Sequence, residues 1–287
     1  MNAFRSRWRS LLYVPVVNDR FVAKAHERGA DAIILELEDA VAPSEKDRAR
    51  ALVPDAARSA SQDGADVLVR INRPWRIAVR DVEAAVGPQV RGLVLPKVDS
   101  AEHVVALAEI VASVEAERHD VPVGHTVFFA RVEGPKGLLH AAEIASAHPR
   151  VVAVGLGSSD YTLAAGMEPG GAGNGYASFL VVNAARAAGV LPLGLVGTIV
   201  DFRDLDAFRR VAEESRALGL RGAPCVHPSQ VPILNEVFSP TAAEIDRARR
   251  VVDEYEQALA EGEGAITVDG EFVDAPYYEH AKRLLAS

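Results

Sequence analysis

The sequence predicts an α/β fold, a TIM (β/α)8 barrel with a C-terminal helix–hairpin–helix lid extension. Within the first 238 of the 287 residues, eight apolar runs each precede a helical pattern, which matches the count and length of such a barrel. The runs are nearly continuous rather than alternating, as expected for strands buried on both faces. An open doubly wound sheet is the competing architecture, but the segment VPVVNDR after the first run lacks the glycine-rich phosphate loop of that fold.

The predicted elements follow one another almost without interruption. In chain order the strands are SLLYVPV, AIILELE, ADVLVRIN, RGLVLPKV, TVFFARVE, VVAVGLG, LPLGLVG and RGAPCVH. The helices after them are DRFVAKAHERG, SEKDRARALVPDAARSA, VRDVEAAVG, SAEHVVALAEIVASVEAERH, GPKGLLHAAEIASAH, GYASFLVVNAARAAG, LDAFRRVAEESRALG and PSQVPILNEVF. Because strands joined by a helix are usually parallel neighbours, these strands should lie side by side with their carboxyl ends at one edge.

The pattern changes after Phe238, where we place a domain boundary between a barrel of residues 1–238 and an extension of residues 239–287. The extension begins with an amphipathic helix in SPTAAEIDRARRVVDEYEQALAEG. A short hairpin turning at Asp269-Gly270 follows, and YYEHAKRLLA forms a closing helix. A lid, a subunit-swapping arm and a buttress without function are all compatible with this pattern.

Composition excludes several classes of function. The chain has 31 basic and 40 acidic residues, a net charge of −9, which argues against nucleic acid or an anionic membrane as partner. A single cysteine, Cys225, allows neither an internal disulfide framework nor a cysteine zinc site. The first apolar run is short and contains Pro15, so it predicts a strand rather than a signal peptide. No apolar stretch approaches the ~20 residues of a membrane span. We therefore expect a soluble, cytoplasmic protein that binds a small molecule.

Charged residues gather at the carboxyl ends of the predicted strands, where barrels of this kind carry their active sites. In chain order they are Glu36, Glu38, Asp39, Arg70, Lys97, Glu133, Asp160 and His227. Solvation alone can place one charge at a strand end, but packing gives no reason to gather acidic residues at three strand ends together with an arginine and a lysine. We expect the histidine to be a hydrogen-bonded strand-end residue rather than a base. The gathered charges predict an enzyme.

The strand-end carboxylates predict a metal site. Glu133 and Asp160 close two consecutive strands, and neighbouring strands lie roughly 4.8 Å apart, so the two groups can share one divalent cation. An all-oxygen site without cysteine suits Mg²⁺, with Mn²⁺ as a substitute, better than zinc. Arg70 offers a planar fork for a carboxylate or an enolate oxygen. Together these groups are suited to bind a 2-oxo or 2-hydroxy acid and to stabilise charge that develops on oxygen.

A family resemblance rests on motifs spread over essentially the whole chain in the same order. They are SLLYVPV, RFVAKAHERGADAIILELEDAVAPSEKDRAR, VRIN, GLVLPKVDSAEHV, ARVEGPKGLLHAAEIA, CVHPSQVPILNEVFSP and DGEFVDAPYYEHAKRLL. In these motifs the chain resembles citrate lyase β-subunit-like proteins and malyl-CoA or citramalyl-CoA lyases of the HpcH/HpaI aldolase superfamily. The resemblance implies a Mg²⁺-dependent TIM barrel, usually a homotrimer or homohexamer. It also implies reversible Claisen-type cleavage of a hydroxyacyl-CoA thioester to acetyl-CoA and a 2-oxo acid such as glyoxylate or pyruvate.

The resemblance also implies roles for individual residues of the barrel. The metal carboxylates of the family match Glu133 and Asp160, and its substrate-binding arginine matches Arg70. The acidic pair after the second strand matches Glu38 and Asp39, which would hold metal-bound water.

The extension and the first loop complete this set of implied residues. Asp274 matches the aspartate of the lid motif, which reaches a neighbouring subunit's site in the lyases and serves there as acid or base. The glycine and arginine that help to hold coenzyme A after the first strand are replaced by VVNDR, which leaves Arg20 and Lys24 as candidate phosphate contacts. Ala223 stands where a basic residue is frequent, and Glu36 replaces the first acid of the usual DLED. These departures leave the metal centre intact and weaken the case for coenzyme A.

Several functions therefore stay open at the level of the sequence. The first is a Mg²⁺-dependent carbon–carbon lyase that cleaves or forms a hydroxyacyl-CoA thioester. The second keeps the metal but acts as a malyl-CoA-type thioesterase, or as a 2-oxo acid aldolase that does not use coenzyme A. The third is a non-catalytic subunit that binds an acyl carrier.

Overall fold

The computed structural model describes residues 7–168, 173–197 and 203–286. The chain divides after Phe238 into two compact units, Met1–Phe238 and Ser239–Ser287. In the described part of the chain, no helix combines the length and the apolar character that crossing a membrane requires.

The first unit is built on eight parallel strands. They are β1 (Ser10–Pro15), β2 (Ala32–Glu36), β3 (Asp66–Arg70), β4 (Gly92–Leu95), β5 (Val127–Val132), β6 (Val151–Leu156), β7 (Leu191–Leu193) and β8 (Ala223–Cys225), paired in the order β7-β6-β5-β4-β3-β2-β1-β8. The two outer strands are joined by backbone hydrogen bonds of 2.9 Å from Gly194 N to the Gly222 carbonyl and from Arg221 N to the Pro192 carbonyl. This junction closes the sheet, so the predicted TIM barrel is confirmed.

Ten helices accompany the strands among the described residues of this unit. They are α1 (Asp19–Val22), α2 (Lys46–Ala60), α3 (Trp75–Ala85), α4 (Ala101–Glu117), α5 (Pro135–Leu139), α6 (Ala141–Ser146), α7 (Ser158–Ala164), α8 (Gly173–Ala188), α9 (Leu205–Leu218) and α10 (Val231–Val237). Short 3-10 turns cover His26–Arg28, Pro43–Glu45 and Pro228–Gln230.

The prediction of one helix after the fifth strand is wrong, because two short helices meet there at His140. The His140 ring nitrogen Nδ1 lies 2.9 Å from the Lys136 carbonyl, which the His140 backbone N–H would use in a continuous α-helix. The backbone N–H of His140 instead donates to the Gly137 carbonyl at 3.2 Å. The side chain therefore competes with the backbone and ends α5.

Strand alternation sorts the side chains of the barrel into two layers. The interior cluster contains Trp8, Leu11, Ala32, Ile34, Leu68, Val94, Val127, Phe129, Ala153 and Leu193, and Tyr13 packs against it. A larger cluster, which includes Leu12, Leu35, Val69, Leu93 and Phe128 from the alternate strand positions, packs against the helices. Because side chains two residues apart lie on the same face of a strand, the interior side continues toward the carboxyl ends through Tyr13, Glu36, Arg70 and Arg131. Charged and phenolic groups therefore cap an otherwise apolar barrel interior.

The second unit has the predicted helix–hairpin–helix structure. Helix α11 (Ala242–Ala260) is followed by strands β9 (Ala265–Val268) and β10 (Glu271–Asp274) and by helix α12 (Ala275–Leu285). Asp269 and Gly270 form the two-residue turn, with φ of 52° and 83°, as a type I′ hairpin requires. The unit has a core of its own, which contains Ala248, Val251, Tyr255, Val268, Val273 and Ala281.

Candidate active site

Arg70 at the end of β3 is the centre of an acidic cluster at the carboxyl end of the barrel. Its Nε donates to Glu36 Oε2 at 2.5 Å, and its Nη1 lies 3.2 Å from Glu38 Oε2. Nη2 lies 4.0 Å from Asp39 Oδ2, and the guanidinium carbon stands 4.8 Å from the centre of the Tyr13 ring. Burial opposes the charge of Arg70, but the fields of Tyr13 and the two glutamates raise its pKa above the usual range. Arg70 is therefore a fixed cation, as a group that binds an anionic substrate should be.

Two lysines fix the loop that follows β2. Lys97 Nζ donates to Glu38 Oε1 at 2.5 Å and lies 3.4 Å from Asp39 Oδ1. Burial lowers the pKa of Lys97, but the hydrogen bond and the charge of Glu38 outweigh it and raise the pKa overall. The Lys97 backbone has a φ of 50°, a left-handed value that is unusual outside glycine and common where function constrains the chain. Lys46 Nζ donates to the carbonyls of Leu37 and Glu38 at 2.6 and 2.5 Å.

Glu133 directly follows β5 and is a buried carboxylate without hydrogen bonds. It is 4% exposed, and neither of its oxygens has a hydrogen-bond partner among the described residues. Arg131 Nε lies 3.0 Å from Glu133 Oε1, an ion-pair contact that is not aligned as a hydrogen bond. Burial raises the pKa of Glu133, Arg131 lowers it, and the carboxylates of Asp160 and Glu38 raise it further. Such a group is costly to keep charged unless a further cation compensates for its burial.

Asp160 lies on the same side of the barrel as Glu133, but not at a strand end as predicted. Strand β6 ends at Leu156, and Asp160 is in the first turn of α7. Val132 and Leu156 are partners in the β5–β6 register, so the segments that carry the two carboxylates leave the sheet side by side. The extra helix begins directly after the strand, which the sequence pattern alone did not reveal.

Gly157 makes room for the charged side chains of β5. A β-carbon at this position would lie 2.5 Å from Glu133 Cγ and 2.6 Å from Arg131 Nη2, closer than real contacts allow. The backbone N–H of Gly157 donates to the Val132 carbonyl at 2.8 Å, and this hydrogen bond holds the Gly157 backbone close to the two side chains.

The residues present fit a divalent cation with few protein ligands. Within residues 7–168, 173–197 and 203–286, no three His, Cys, Asp or Glu side chains form a group that could hold a metal. Mg²⁺ commonly takes only one or two carboxylates and leaves its other positions to water and substrate oxygens. The unpartnered oxygens of Glu133, with Asp160 near enough to raise its pKa, match such a site.

Tyr13 and Arg131 are site residues that the sequence analysis missed. Arg131 Nη1 donates to the Tyr13 hydroxyl oxygen at 2.5 Å. The sequence feature that could have identified Arg131 is the two-residue period of the fifth strand, which places Phe129, Arg131 and Glu133 on one face. Glu133 stands at the end of the apolar run, whereas Arg131 stands two residues earlier, inside it.

The structure does not bring every predicted residue to this cluster. Arg20 lies in α1 and Lys24 follows that helix; both are exposed, on the segment after β1. Asp274 belongs to the second unit, where it ends β10 and precedes α12. Its Oδ1 is buried and has no hydrogen-bond partner among the described residues.

Two further polar candidates have structural roles. His227 caps the short helix Pro228–Gln230, and its Nδ1 lies 2.7 Å from Ser229 Oγ, in agreement with the expectation of a hydrogen-bonded histidine. Cys225 is buried, and burial raises the pKa of its thiol to about 12, so it is not a nucleophile at neutral pH.

Comparison with known proteins places this site in context. Residues 9–228 match the family model described as HpcH/HpaI aldolase/citrate lyase. The chain is 34% identical over 288 residues to the citrate lyase subunit beta of Leuconostoc mesenteroides subsp. cremoris, covering 99% of this chain and 94% of that one. It is 36% identical over 289 residues to a (3S)-malyl-CoA thioesterase of Cereibacter sphaeroides, covering 97% and 94%.

A solved structure is similar over the whole chain. The CitE protein of Mycobacterium tuberculosis in complex with magnesium, acetoacetate and coenzyme A superposes with a TM-score of 0.77 at 28% identity. The match covers 99% of this chain and 98% of that one, so it includes the extension as well as the barrel.

Proposed function

Because the chain belongs to the HpcH/HpaI aldolase/citrate lyase family of enzymes, we propose that it is a Mg²⁺-dependent carbon–carbon lyase. Its substrate is a hydroxyacyl-CoA thioester such as malyl-CoA or citramalyl-CoA, and its products are acetyl-CoA and a 2-oxo acid; the reverse reaction is the condensation. The observation that supports this most directly is the buried carboxylate of Glu133, whose oxygens lack hydrogen bonds and which lies in the field of Asp160.

In this proposal Glu133 and Asp160 would hold Mg²⁺, which would supply Lewis-acid chemistry to the substrate. Mn²⁺ is expected to substitute for Mg²⁺, since it accepts the same oxygen ligands. Arg70 donates hydrogen bonds to the substrate oxygen on which negative charge develops. Its own contacts with Glu36 and Glu38 keep the guanidinium in one orientation, so little reorganisation is needed during the reaction.

Glu38 and Asp39 orient water and substrate at the mouth of the barrel. Both carboxylates face Lys97, which limits their motion. Coenzyme A runs outward along the segment after β1, where Arg20 and Lys24 are exposed and available to its phosphates. The family resemblance and the exposure of the two side chains support this part of the proposal.

Asp274 is the proposed acid or base, supplied by a neighbouring subunit. In the cleavage direction the bond between the thioester α-carbon and the carbinol carbon breaks, the carbinol O–H proton passes to water, and the α-carbon of the acetyl enolate takes up a proton. Asp274 delivers that proton, and in the condensation it removes it. A homotrimer or homohexamer would bring the second unit of one chain to the barrel of another. The buried, unpartnered Oδ1 of Asp274 is consistent with a group that lacks its working partner in a single chain.

Thioester hydrolysis is the second candidate, and it is favoured by the (3S)-malyl-CoA thioesterase relative at 36% identity. It uses the same metal and the same coenzyme A ester but ends in free thiol. A panel of hydroxyacyl-CoA esters, incubated with Mg²⁺ and assayed separately for acetyl-CoA and for free thiol, separates the two. The lyase forms acetyl-CoA and a 2-oxo acid in equal amounts without free thiol. Free thiol alone would support the thioesterase, and neither product with any ester would contradict both.

A further inference from the structure

Arg131 is a second guanidinium inside the barrel, and its contacts leave one donor group unused. Nη1 donates to the Tyr13 hydroxyl at 2.5 Å, and Nε lies 3.0 Å from Glu133 Oε1. Nη2 donates no hydrogen bond to any residue in the described part of the chain. The Arg131 side chain is only 12% exposed, so its guanidinium group is held inside the protein rather than on the surface.

A purely structural role does not account for these contacts. Where an arginine only neutralises a buried carboxylate, aligned and often paired hydrogen bonds are expected; here the contact with Glu133 is not aligned as a hydrogen bond. A cation bound at Glu133 would share this carboxylate with Arg131, which would reduce the affinity of the site for the metal. In addition, both guanidinium groups contact Tyr13. Arg70 lies over its ring, and Arg131 donates to its hydroxyl, so two positive charges are held near each other. An anion bound between Arg131 and Arg70 would offset both the competition for Glu133 and the repulsion between the two guanidinium groups.

The position of Arg131 Nη2 indicates where that anion binds. A β-carbon at Gly157 would lie 2.6 Å from Nη2 and 2.9 Å from Glu133 Oε1, so the unused donor and the metal carboxylate are close neighbours. An oxo acid held at Glu133 and Asp160 would present its carboxylate within reach of this donor. A guanidinium is suited to that geometry because its N–H groups lie in one plane.

We propose that Arg131 is a second substrate-binding arginine, whose Nη2 donates to the carboxylate of the bound 2-oxo acid, with Tyr13 as the positioning residue that holds it. The inference rests on the proposed function, because it takes the 2-oxo acid as the ligand. It adds a recognition group beside Arg70 in the charged layer that caps the barrel interior.

Calorimetric titration tests the proposal with Mg²⁺ and with pyruvate as probes. The proteins are the wild type, Arg131→Met, Arg131→Lys, Tyr13→Phe and, as a control, Arg58→Met, at a position where the side chain is 60% exposed. For Arg131→Met we expect Mg²⁺ to bind about threefold to tenfold tighter, because Glu133 loses a competing cation. At saturating Mg²⁺ we expect pyruvate to bind about tenfold or more weakly, because a charge-assisted hydrogen bond is lost. The control should match the wild type in both titrations.

Opposite changes in the two affinities distinguish substrate binding from a structural role. If Mg²⁺ and pyruvate both bind more weakly to Arg131→Met, or if pyruvate binding is unchanged, the proposal is wrong. Should Arg131→Met fail to fold, Arg131→Lys and Tyr13→Phe decide, since both keep the volume of the site. Tyr13→Phe should weaken pyruvate binding about threefold with little change in Mg²⁺ affinity, and an unchanged pyruvate affinity would exclude the positioning role. The ester panel tests the proposed function separately, because its outcome does not depend on these comparisons between variants.

Discussion

Arg70 has a planar guanidinium with acidic partners on several of its nitrogens, and this geometry predicts the effect of a conservative substitution. In Arg70→Lys the charge remains, but a single ammonium cannot contact Glu36, Glu38 and a substrate oxygen together. We expect kcat/KM to fall by the equivalent of about 2–4 kcal/mol in transition-state stabilisation. The measurement is steady-state kinetics on the ester identified in the panel, with Arg58→Lys as the control. Near wild-type kcat/KM in Arg70→Lys would exclude the assigned role.

The proposed metal ligands Glu133 and Asp160 predict a loss of metal binding without a loss of fold. Glu133→Gln and Asp160→Asn keep size and shape but remove the charge that a hard cation needs. We expect Mg²⁺ affinity to fall at least about tenfold in each variant, measured by calorimetry, while the circular dichroism spectrum stays close to that of the wild type. Glu45→Gln, at a position where the side chain is 41% exposed, is the matched control. Retained Mg²⁺ affinity in both site variants would contradict the metal assignment.

The raised pKa of Glu133 also predicts a pH dependence of stability. Burial favours the protonated form, so the native state holds this proton to a higher pH than the unfolded chain, whose value is about 4.5. The stability that this group contributes is therefore fully present below pH 4.5 and is lost as the pH rises through the folded pKa. Without Mg²⁺, the free energy of unfolding of the wild type should fall relative to that of Glu133→Gln as the pH rises above this value. Denaturant unfolding at pH 4.5 and pH 8 measures this difference, and a pH-independent difference would refute the prediction.

At the scale of elements, the loop between β6 and α7 limits which side chains the site can contain. In Gly157→Ala the new methyl group would collide with both Glu133 Cγ and Arg131 Nη2, so both side chains must move. We expect Mg²⁺ affinity to fall at least about tenfold, because the carboxylate leaves its position. Gly175→Ala is the control, since nothing lies within 4 Å of its β-carbon and alanine favours the helix that contains it. Equal Mg²⁺ affinities in the two variants would show that the contacts of a methyl group at residue 157 with Glu133 and Arg131 do not affect metal binding.

The elements also show how far the sequence could predict the fold and the site. Continuous apolar runs identified all eight strands of the barrel, because burial on both faces leaves a strong pattern. The division of the fifth helix at His140 depended on one side-chain hydrogen bond, which no periodicity reveals. Asp160 was expected at a strand end but lies in α7, since a polar run such as SSD is equally compatible with a helix start. Arg131 escaped notice because a charge inside a strand becomes meaningful only when the direction of its side chain is known.

At the scale of the whole molecule, the extension of residues 239–287 is a separately packed unit. Its proposed role is to supply Asp274 to the barrel of a neighbouring subunit. A two-stranded hairpin is marginal alone, but this one is packed against α11 and α12 through Val268, Val273 and Tyr255. Phe272 and Tyr277, on either side of Asp274 in the sequence, are 64% and 57% exposed. Exposed aromatic side chains beside a buried, unpartnered carboxylate oxygen suit a surface that meets a second copy of the chain.

Subunit mixing tests this arrangement, because each catalytic group is proposed to come from a different chain. Asp274→Ala and Glu133→Gln should each be inactive as pure oligomers, one without the proton-transfer group and the other without a metal carboxylate. After subunit exchange, some sites combine an intact Glu133 from one chain with an intact Asp274 from the next, so part of the activity should return. Light scattering should find a trimer or a hexamer, and labelled subunits should verify the exchange. If activity does not return after verified exchange, the extension either serves the barrel of its own chain or takes no part in the chemistry.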